Sequence, residues 1–300
     1  MDLFTKAFEY ETVKQAKASG TYPYFIPLDR NEGTEVVYQD RRIIMCGSNN
    51  YLGLTTHPKV REAAINAIKR FGTSCTGSRF LNGNMTIIEE LEEKLAQWVG
   101  KEAALVFSTG MQVNLGTISS IVSKRDIVIL DKEDHASIVY GAFLSGGKIE
   151  RFRHNDIPHL ERVLQSLPEE PGKLLIVDGL FSMEGDIAKL PEIIPLCKKY
   201  NVRLMVDDAH AMGVLGGGRG TAAHFGMTED VDLIMSTFSK SFASIGGFIA
   251  GDRDVVDYIK HHARSLIFSA SIPPANTATA LAALEIMHDE PELVERLTWN

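Results

Sequence analysis

With 300 residues, 44% of them hydrophobic and 23% charged, the chain is long enough to bury a large core, and it reads as one big domain with an appendage instead of two equal halves. Acidic residues outnumber basic ones by 39 to 31, a net charge of −8 with no basic block, which argues against a nucleic-acid backbone or an anionic membrane as the main partner. Cys46, Cys75 and Cys197 are odd in number and widely separated, so they form neither a disulfide framework nor a zinc-type spacing, and a reducing compartment is expected.

The first residues, MDLFTKAFEYETVKQAK, mix charges throughout and lack the apolar core of a signal peptide. No apolar run is long enough to span a bilayer, so a cytoplasmic protein is expected. A first helix and then a hairpin-like segment, TEVVYQDRRIIMCG, suggest a small lobe over residues 1–50. From residue 51 the pattern changes. Short apolar runs recur as AALVFS, DIVILD, KIERF, LLIVDGL, VRLMVDDA, DLIMSTF and GFIAGD, most of them bounded by Gly, Asp or Ser. Between several of them lie amphipathic helical stretches such as IIEELEEKLAQWVG and LPEIIPLCKKY. This alternation predicts an α/β fold with a mainly parallel sheet of seven strands, covered on both faces, over residues 51–285.

In such a sheet the working positions sit where the strands end and turn toward a shared crevice. VFSTGMQVN ends its strand at Ser108, Thr109 and Gly110 and opens a helix, a place where free N–H groups favour an anion; the same residues also make an ordinary helix cap. DKEDHASI delivers His135, VDGLFSMEGD delivers Ser182 and Glu184, VDDAHAMG delivers Asp207 and His210, and TFSK delivers Thr237 and Lys240. Each alone is as well explained by a cap or a surface side chain. Together, at successive strand ends, they are harder to dismiss.

A buried lysine becomes a nucleophile once its ammonium form is disfavoured, and it can then form a Schiff base with a carbonyl. A carbonyl cofactor that also needs a phosphate cradle, a carboxylate for a ring nitrogen and a donor for a phenolic oxygen is pyridoxal phosphate. Asp207 suits the ring nitrogen, His210 the phenolic oxygen, and His135 the ring face, where its pKa also suits proton movement at a substrate carbon. Thr237 and the turn from Ser108 to Met111 suit the phosphate. Gly246 and Gly247 are small because the returning strand has to pass close to the site.

The motifs NNYLGL, GTSCTGSRFLNG, FSTGMQVN, DHASI, DGLFSMEGD, VDDAHAMGV, TFSKSFASIGG and FSASIPPA resemble those of the α-oxoamine synthases, pyridoxal-phosphate enzymes of the aspartate-aminotransferase fold. The resemblance covers nearly the whole chain. Within the family, SRFLNG, SMEGD and TFSKS followed by GGF are most similar to the bacterial members that condense L-serine with a long-chain acyl-CoA, releasing CO2 and CoA, to give 3-oxosphinganine for sphingolipid synthesis. By motif, the resemblance implies that Lys240 is the Schiff-base lysine, His135 the stacking histidine that meets substrate, Asp207 the ring-nitrogen partner, and His210 with Ser182 the phenolate-side contacts. Gly110, Met111 and Thr237 match the phosphate and ring-cradling positions, and Asn49 a substrate-side asparagine. A further phosphate contact is implied to cross from a partner subunit at Ser269 and Ala270, hence a homodimer with shared sites. The family continues into a C-terminal domain that carries an arginine for the substrate carboxylate, and residues 286–300 read as its truncated start.

Other readings differ in specific residues. An aminotransferase would commonly carry an aromatic ring where His135 stands. Glycine C-acetyltransferase or 8-amino-7-oxononanoate synthase chemistry would differ only in the amino-acid and acyl pockets, and a non-catalytic partner subunit would usually lack the lysine. Asp207, Asp208 and His210 lack a third ligand at suggestive spacing, so no metal is expected. LGGGRG lacks dinucleotide-motif spacing and reads as a mobile loop beside the site. His154, His159, His261 and His262 read as solvated, and Trp98, Met205 and Met235 as packing.

Overall fold

The hairpin segment reverses at Gln39 and Asp40, both in the left-handed region with φ of 48° and 59°, a two-residue turn that matches the twist of paired strands. The computed structural model describes residues 2–300, in two units that divide after Gly47. In the first unit the helices Thr5–Phe8 and Glu11–Ala18 precede an antiparallel sheet of β1 (Arg30–Asn31), β2 (Glu35–Tyr38) and β3 (Arg41–Ile44).

In the second unit all seven apolar runs are strands of one sheet: β4 (Ala103–Phe107), β5 (Ile127–Asp131), β6 (Lys148–Phe152), β7 (Lys173–Asp178), β8 (Arg203–Asp207), β9 (Leu233–Thr237) and β10 (Gly247–Gly251). Their spatial order is β4-β10-β9-β8-β7-β5-β6, and only β10 runs against the others. Successive residues of a strand point to opposite faces. Here both sets are buried: Val106, Ile129, Leu175, Val206 and Ile234 pack into one core, and Leu105, Val128, Leu174, Met205 and Met235 into a second on the other side. That double burial explains why the strands read as continuous apolar runs. The helix Thr86–Val99 covers the first core with Ile88, Leu91, Leu95 and Val99, spaced along one helical face, and stops at Gly100 in the left-handed conformation.

The SRFLNG motif has a mechanical role. Arg79, 8% exposed, pairs with Glu92 of the Thr86–Val99 helix through both carboxylate oxygens, donates to Asn84 Oδ1 and reaches the Val106 carbonyl of β4 at 2.9 Å. The Glu92 carboxylate also accepts from the Val106 N–H at 2.6 Å, so one buried ion pair fixes the end of β4 against its covering helix.

LGGGRG does not stand beside the site. Its glycines form a closed turn, Gly216–Gly218, in which the Gly218 carbonyl accepts from Gly213 N–H at 2.9 Å and from Trp98 Nε1 at 3.2 Å, and none of them lines the strand-end cavity. His154 is not solvated either. Its Nδ1 lies 2.9 Å from the buried Asp131 and its Nε2 3.2 Å from Asp186, with the ring edge-on to Phe181. Burial alone would lower its pKa, but the hydrogen bonds and charges of Asp131 and Asp186 outweigh that and raise it. Its partners come from two distant segments, not from the polar residues beside it in the sequence. His261 and His262 are exposed as expected.

Asp208, just past β8, is fully buried and accepts from the Thr221 N–H at 2.9 Å. A Cβ on Gly179 or Gly220 would stand 2.1 Å from one of its oxygens, so the space around the carboxylate exists because both neighbours are glycine. Burial, with repulsion from Asp207 adding to it and hydrogen bonding from Thr221 opposing it, pushes the Asp208 carboxyl up to about 7.

Two stability measurements follow. Glu92→Ala leaves the Arg79 guanidinium buried without its partner and is expected to cost about 3–5 kcal/mol in urea denaturation, whereas Lys198→Ala, which breaks an exposed pair with Asp230, should cost less than about 1 kcal/mol. The folded state keeps a proton on Asp208 from 3.8 up to about 7, a range in which the unfolded chain has lost it, so this group's contribution to stability falls as pH rises through that window. Asp208→Asn should therefore gain stability relative to the parent chain between about pH 5 and about pH 8. An equal difference at both pH values would show that Asp208 titrates normally.

Candidate active site

The carboxyl ends of β4, β5, β7, β8 and β9 converge on a cavity of about 350 Å³. Gly110, Met111, His135, Asp207, His210, Thr237 and Lys240 all line it. A larger cavity of about 550 Å³ lies at the opposite, amino ends of the strands. Two of its cations are already engaged: Arg203 pairs with Asp232 at 2.7 Å, and Lys101 Nζ donates to the carbonyls of Thr228 and Val231, each at 2.6 Å. The smaller cavity holds the reactive groups.

One end of it is built for an anion. Thr109 caps the helix Gly110–Ile121 by accepting from the Gln112 N–H at 3.2 Å. The N–H groups of Gly110 and Met111 have no protein acceptor among the described residues, and the helix dipole adds positive potential at the same place. Gly110 allows a close approach, since a Cβ there would meet Thr237 Oγ1 at 2.6 Å. Gly247 does the same for β10: a Cβ on it would meet the Ser236 carbonyl at 2.7 Å and Gly110 Cα at 3.0 Å. Thr237 Oγ1 donates to the Gly246 carbonyl at 3.0 Å and lies 2.9 Å from Ser239 Oγ, which ties the two hydroxyls to the cradle.

The other end is acidic and buried. Asp207, 4% exposed, accepts from Asn114 Nδ2 at 2.8 Å and from the Ala209 N–H at 3.0 Å. Its register partner across β7 and β8 is Asp178, 5% exposed, whose carboxylate receives, among the described residues, only the His135 N–H at 3.4 Å. Asp134 stands behind, accepting from the N–H groups of Asp178 and Asp131 at 3.0 and 2.8 Å. Burial first, and then the repulsion of Asp207 and Asp131, pushes the Asp178 carboxyl well above the usual carboxylate range. Asp207 has the better donors, so it is the carboxylate suited to carry the negative charge.

Lys240 faces both carboxylates. Burial pulls its pKa down while Asp207 and Asp178 oppose the shift, and Nζ has no hydrogen-bond partner among the described residues. A lysine whose charged form is disfavoured supplies a free amine at lower pH, which is what a nucleophile needs. His210 is pushed down to about 4 by burial and by the positive charge of Lys240 and His135, so it is neutral near pH 7. Its Nδ1 lies 2.7 Å from the Tyr51 hydroxyl, which leaves Nε2 free. His135 caps the helix Ala136–Ser145, with Nδ1 bonded to Ser137 Oγ at 2.7 Å.

Not every expected residue lines the cavity. Ser182 and Glu184 are exposed in the turn after β7, and Asn49 is exposed, accepting from the Tyr51 hydroxyl at 3.3 Å. Ser269 and Ala270 are held against the anion end from outside: Gln112 Nε2 donates to Ser269 Oγ at 2.8 Å, and Ser108 Oγ donates to the Ala270 carbonyl at 2.5 Å. Asp178, Asn114, Ser137 and Tyr51 escaped the sequence reading. Asp178 had a usable signal, because it ends its strand in the same way as Asp207. Asn114 and Ser137 lie inside helices and Tyr51 meets its partner across 159 positions, which no local pattern reveals.

This donor set fits pyridoxal phosphate. Free N–H groups sit at a helix start, a buried carboxylate has only neutral donors and lacks a cation, and an unpaired lysine lies between them. The chain matches the aminotransferase class I and II family over residues 41–300. It is 53% identical to a serine palmitoyltransferase of Sphingobacterium spiritivorum, over 97% of this chain and 73% of that protein. It is also 41% identical to an 8-amino-7-oxononanoate synthase of Thermoanaerobacter pseudethanolicus, over 98% of this chain and 74% of that one. A solved serine palmitoyltransferase from S. paucimobilis, with pyridoxal phosphate and myriocin bound, superposes with a TM-score of 0.95 at 37% identity, covering 99% of this chain and 75% of that one. The chain belongs to the aminotransferase class I and II family, as an α-oxoamine synthase that takes pyridoxal phosphate and is similar to bacterial serine palmitoyltransferases.

Proposed function

We propose that the chain condenses L-serine with a long-chain acyl-CoA, releasing CO2 and CoA. The observation that carries this reading is Lys240, its ammonium disfavoured by burial, in one cavity with Asp207 and His135. When bound, pyridoxal phosphate supplies a carbonyl that an amine can join and a ring that takes up the electron pair left at an amino acid's α-carbon. Gly110 and Met111 would offer backbone N–H groups to the phosphate, and Thr237 its hydroxyl once that turns from the Gly246 carbonyl. Asp207 holds a proton on the ring nitrogen, steadied by Asn114. His210, backed by Tyr51, bonds the phenolic oxygen, with Ser182 assigned to the same side. Lys240 would supply the amine that joins the cofactor's carbonyl, and as a free amine it would be a base within the same cavity for the substrate's α-proton. His135 would meet the amino acid over the ring face, and Asn49, outside the cavity beside Tyr51, is assigned to the substrate side by its motif alone.

A homodimer with shared sites suits the exposed apolar side chains of the second unit. Leu81, Phe143 and Phe268 are 80%, 62% and 75% exposed, side chains that a partner subunit would cover. Phe268 also adjoins Ser269 and Ala270, the pair assigned to a partner's phosphate. Three cysteines without disulfides fit a reducing cytoplasm, and among the described residues no helix is long and apolar enough to cross a membrane.

Borohydride reduction of the cofactor-loaded chain, followed by peptide mass mapping, should place the cofactor on Lys240, and Lys240→Ala should carry none. L-serine should perturb the visible absorbance of the loaded chain and, with palmitoyl-CoA, release CO2 faster than glycine or alanine does. A stronger response to glycine or alanine would move the assignment to another amino-acid pocket, and no response to any of the three would end it. Phe268→Glu should shift sedimentation toward the monomer and weaken cofactor binding together; a monomeric parent chain would refute the shared site.

A further inference from the structure

Along one wall of the cavity runs a hydrogen-bonded chain whose continuity the roles above leave unused. Asn114, fully buried in the helix Gly110–Ile121, places Nδ2 2.8 Å from Asp207 Oδ2 and also 2.8 Å from Ser137 Oγ. Ser137 Oγ lies 2.7 Å from His135 Nδ1, and the Ser137 N–H reaches the same ring nitrogen at 3.3 Å. Four residues from β8 and two helices are thus linked end to end.

The direction of every proton follows from the charge at one end. An ionised carboxylate only accepts, so the amide must turn its NH2 group, and not its oxygen, toward Asp207. The second amide hydrogen then goes to Ser137 Oγ. With that oxygen accepting, the serine's own hydrogen points to His135 Nδ1, where the backbone N–H of Ser137 also needs an acceptor. A ring nitrogen that accepts two hydrogen bonds carries no proton, so the neutral imidazole carries it on Nε2.

We propose that Asn114 and Ser137 are positioning residues that transmit the ionised state of Asp207 to His135 and fix its ring as the Nε2–H tautomer, a hydrogen-bond donor to an anionic oxygen of the substrate, such as its carboxylate. The donor role rests on His135 meeting the amino acid; the tautomer does not, because the chain of bonds lies wholly within the protein. The same chain gives Asp207 two functions. It serves the ring nitrogen directly and prepares the opposite ring face at a distance. If Asp207 were neutral, the amide would be free to turn over and the serine hydroxyl would lose its preferred direction.

The test reads the ring itself. Full-length chain labelled with [15N]histidine, with and without pyridoxal phosphate, should at about pH 8 show one ring carrying its proton on Nε2 alone, assigned by its loss in His135→Gln. Ser137→Ala and Asn114→Leu should each give an average of both tautomers at that ring. A proton on Nδ1 in the parent chain, or an unchanged Nε2–H ring in Ser137→Ala, would overturn the proposal, the latter by showing that the backbone N–H alone suffices. Should Asn114→Leu fail to fold, Ser137→Ala still decides. In the loaded chain, Ser137→Ala should weaken L-serine binding about tenfold, read from the absorbance change, with cofactor affinity unchanged. Weaker cofactor binding with unaltered serine binding would mean a structural role only, and a parent chain that ignores serine while showing the Nε2–H ring would fault the functional reading but not the relay.

Discussion

Asp178, Asp207 and Lys240 share one buried end of a sheet, and a low-dielectric site does not hold three free charges of unequal sign without arranging them. The arrangement seen is graded by hydrogen-bond supply. Asp207 receives two good donors and can stay ionised, Asp178 receives one long one and is driven toward its neutral form, and Lys240 is left with no fixed partner. A lysine in that position is available to a carbonyl because neither carboxylate has captured it. The remaining polar groups of the site, including the neutral His210, follow from the need to keep this balance.

The fold was legible because the sheet is covered on both faces. Seven apolar runs, most of them ended by Asp, Ser, Thr or Gly, announce strands and their exits at once, and the exits are where Lys240, Asp207 and His210 stand. What stayed hidden obeys a different rule. Asn114 and Ser137 look like polar residues placed in helices for no local reason, and their purpose appears only when β8 and the two helices are brought together. His154 was misread for a related reason: polar neighbours in sequence suggest solvent, yet Asp131 and Asp186 reach it from two separate segments and enclose it. Asp178 is a plainer lesson. An aspartate before glycine is a common turn former, and that ordinary role masked a carboxylate facing the cavity.

Close approach of backbone to backbone explains the glycines. Gly110 and Gly247 let β9, β10 and the start of the phosphate-facing helix come together, and a methyl group on either would push them apart. Gly179 and Gly220 make room for the Asp208 carboxylate behind the site. Charge arrangement and chain spacing are two sides of one design, since the carboxylates are confined by the small residues that let the strand ends converge.

The lone antiparallel strand has a kinetic consequence. β4 pairs only with β10, joining Phe107 to Gly247 across almost half the chain, and β10 also brings Gly246 to Thr237. Closing so long a loop is entropically costly and slow compared with pairing the parallel strands that follow one another in sequence. During synthesis the parallel block from β5 to β9 can assemble while β4 and the helix start at Gly110 still wait for their neighbour. The anion cradle therefore depends on a pairing between distant parts of the chain, whereas Asp178 and Asp207 stand on neighbouring parallel strands.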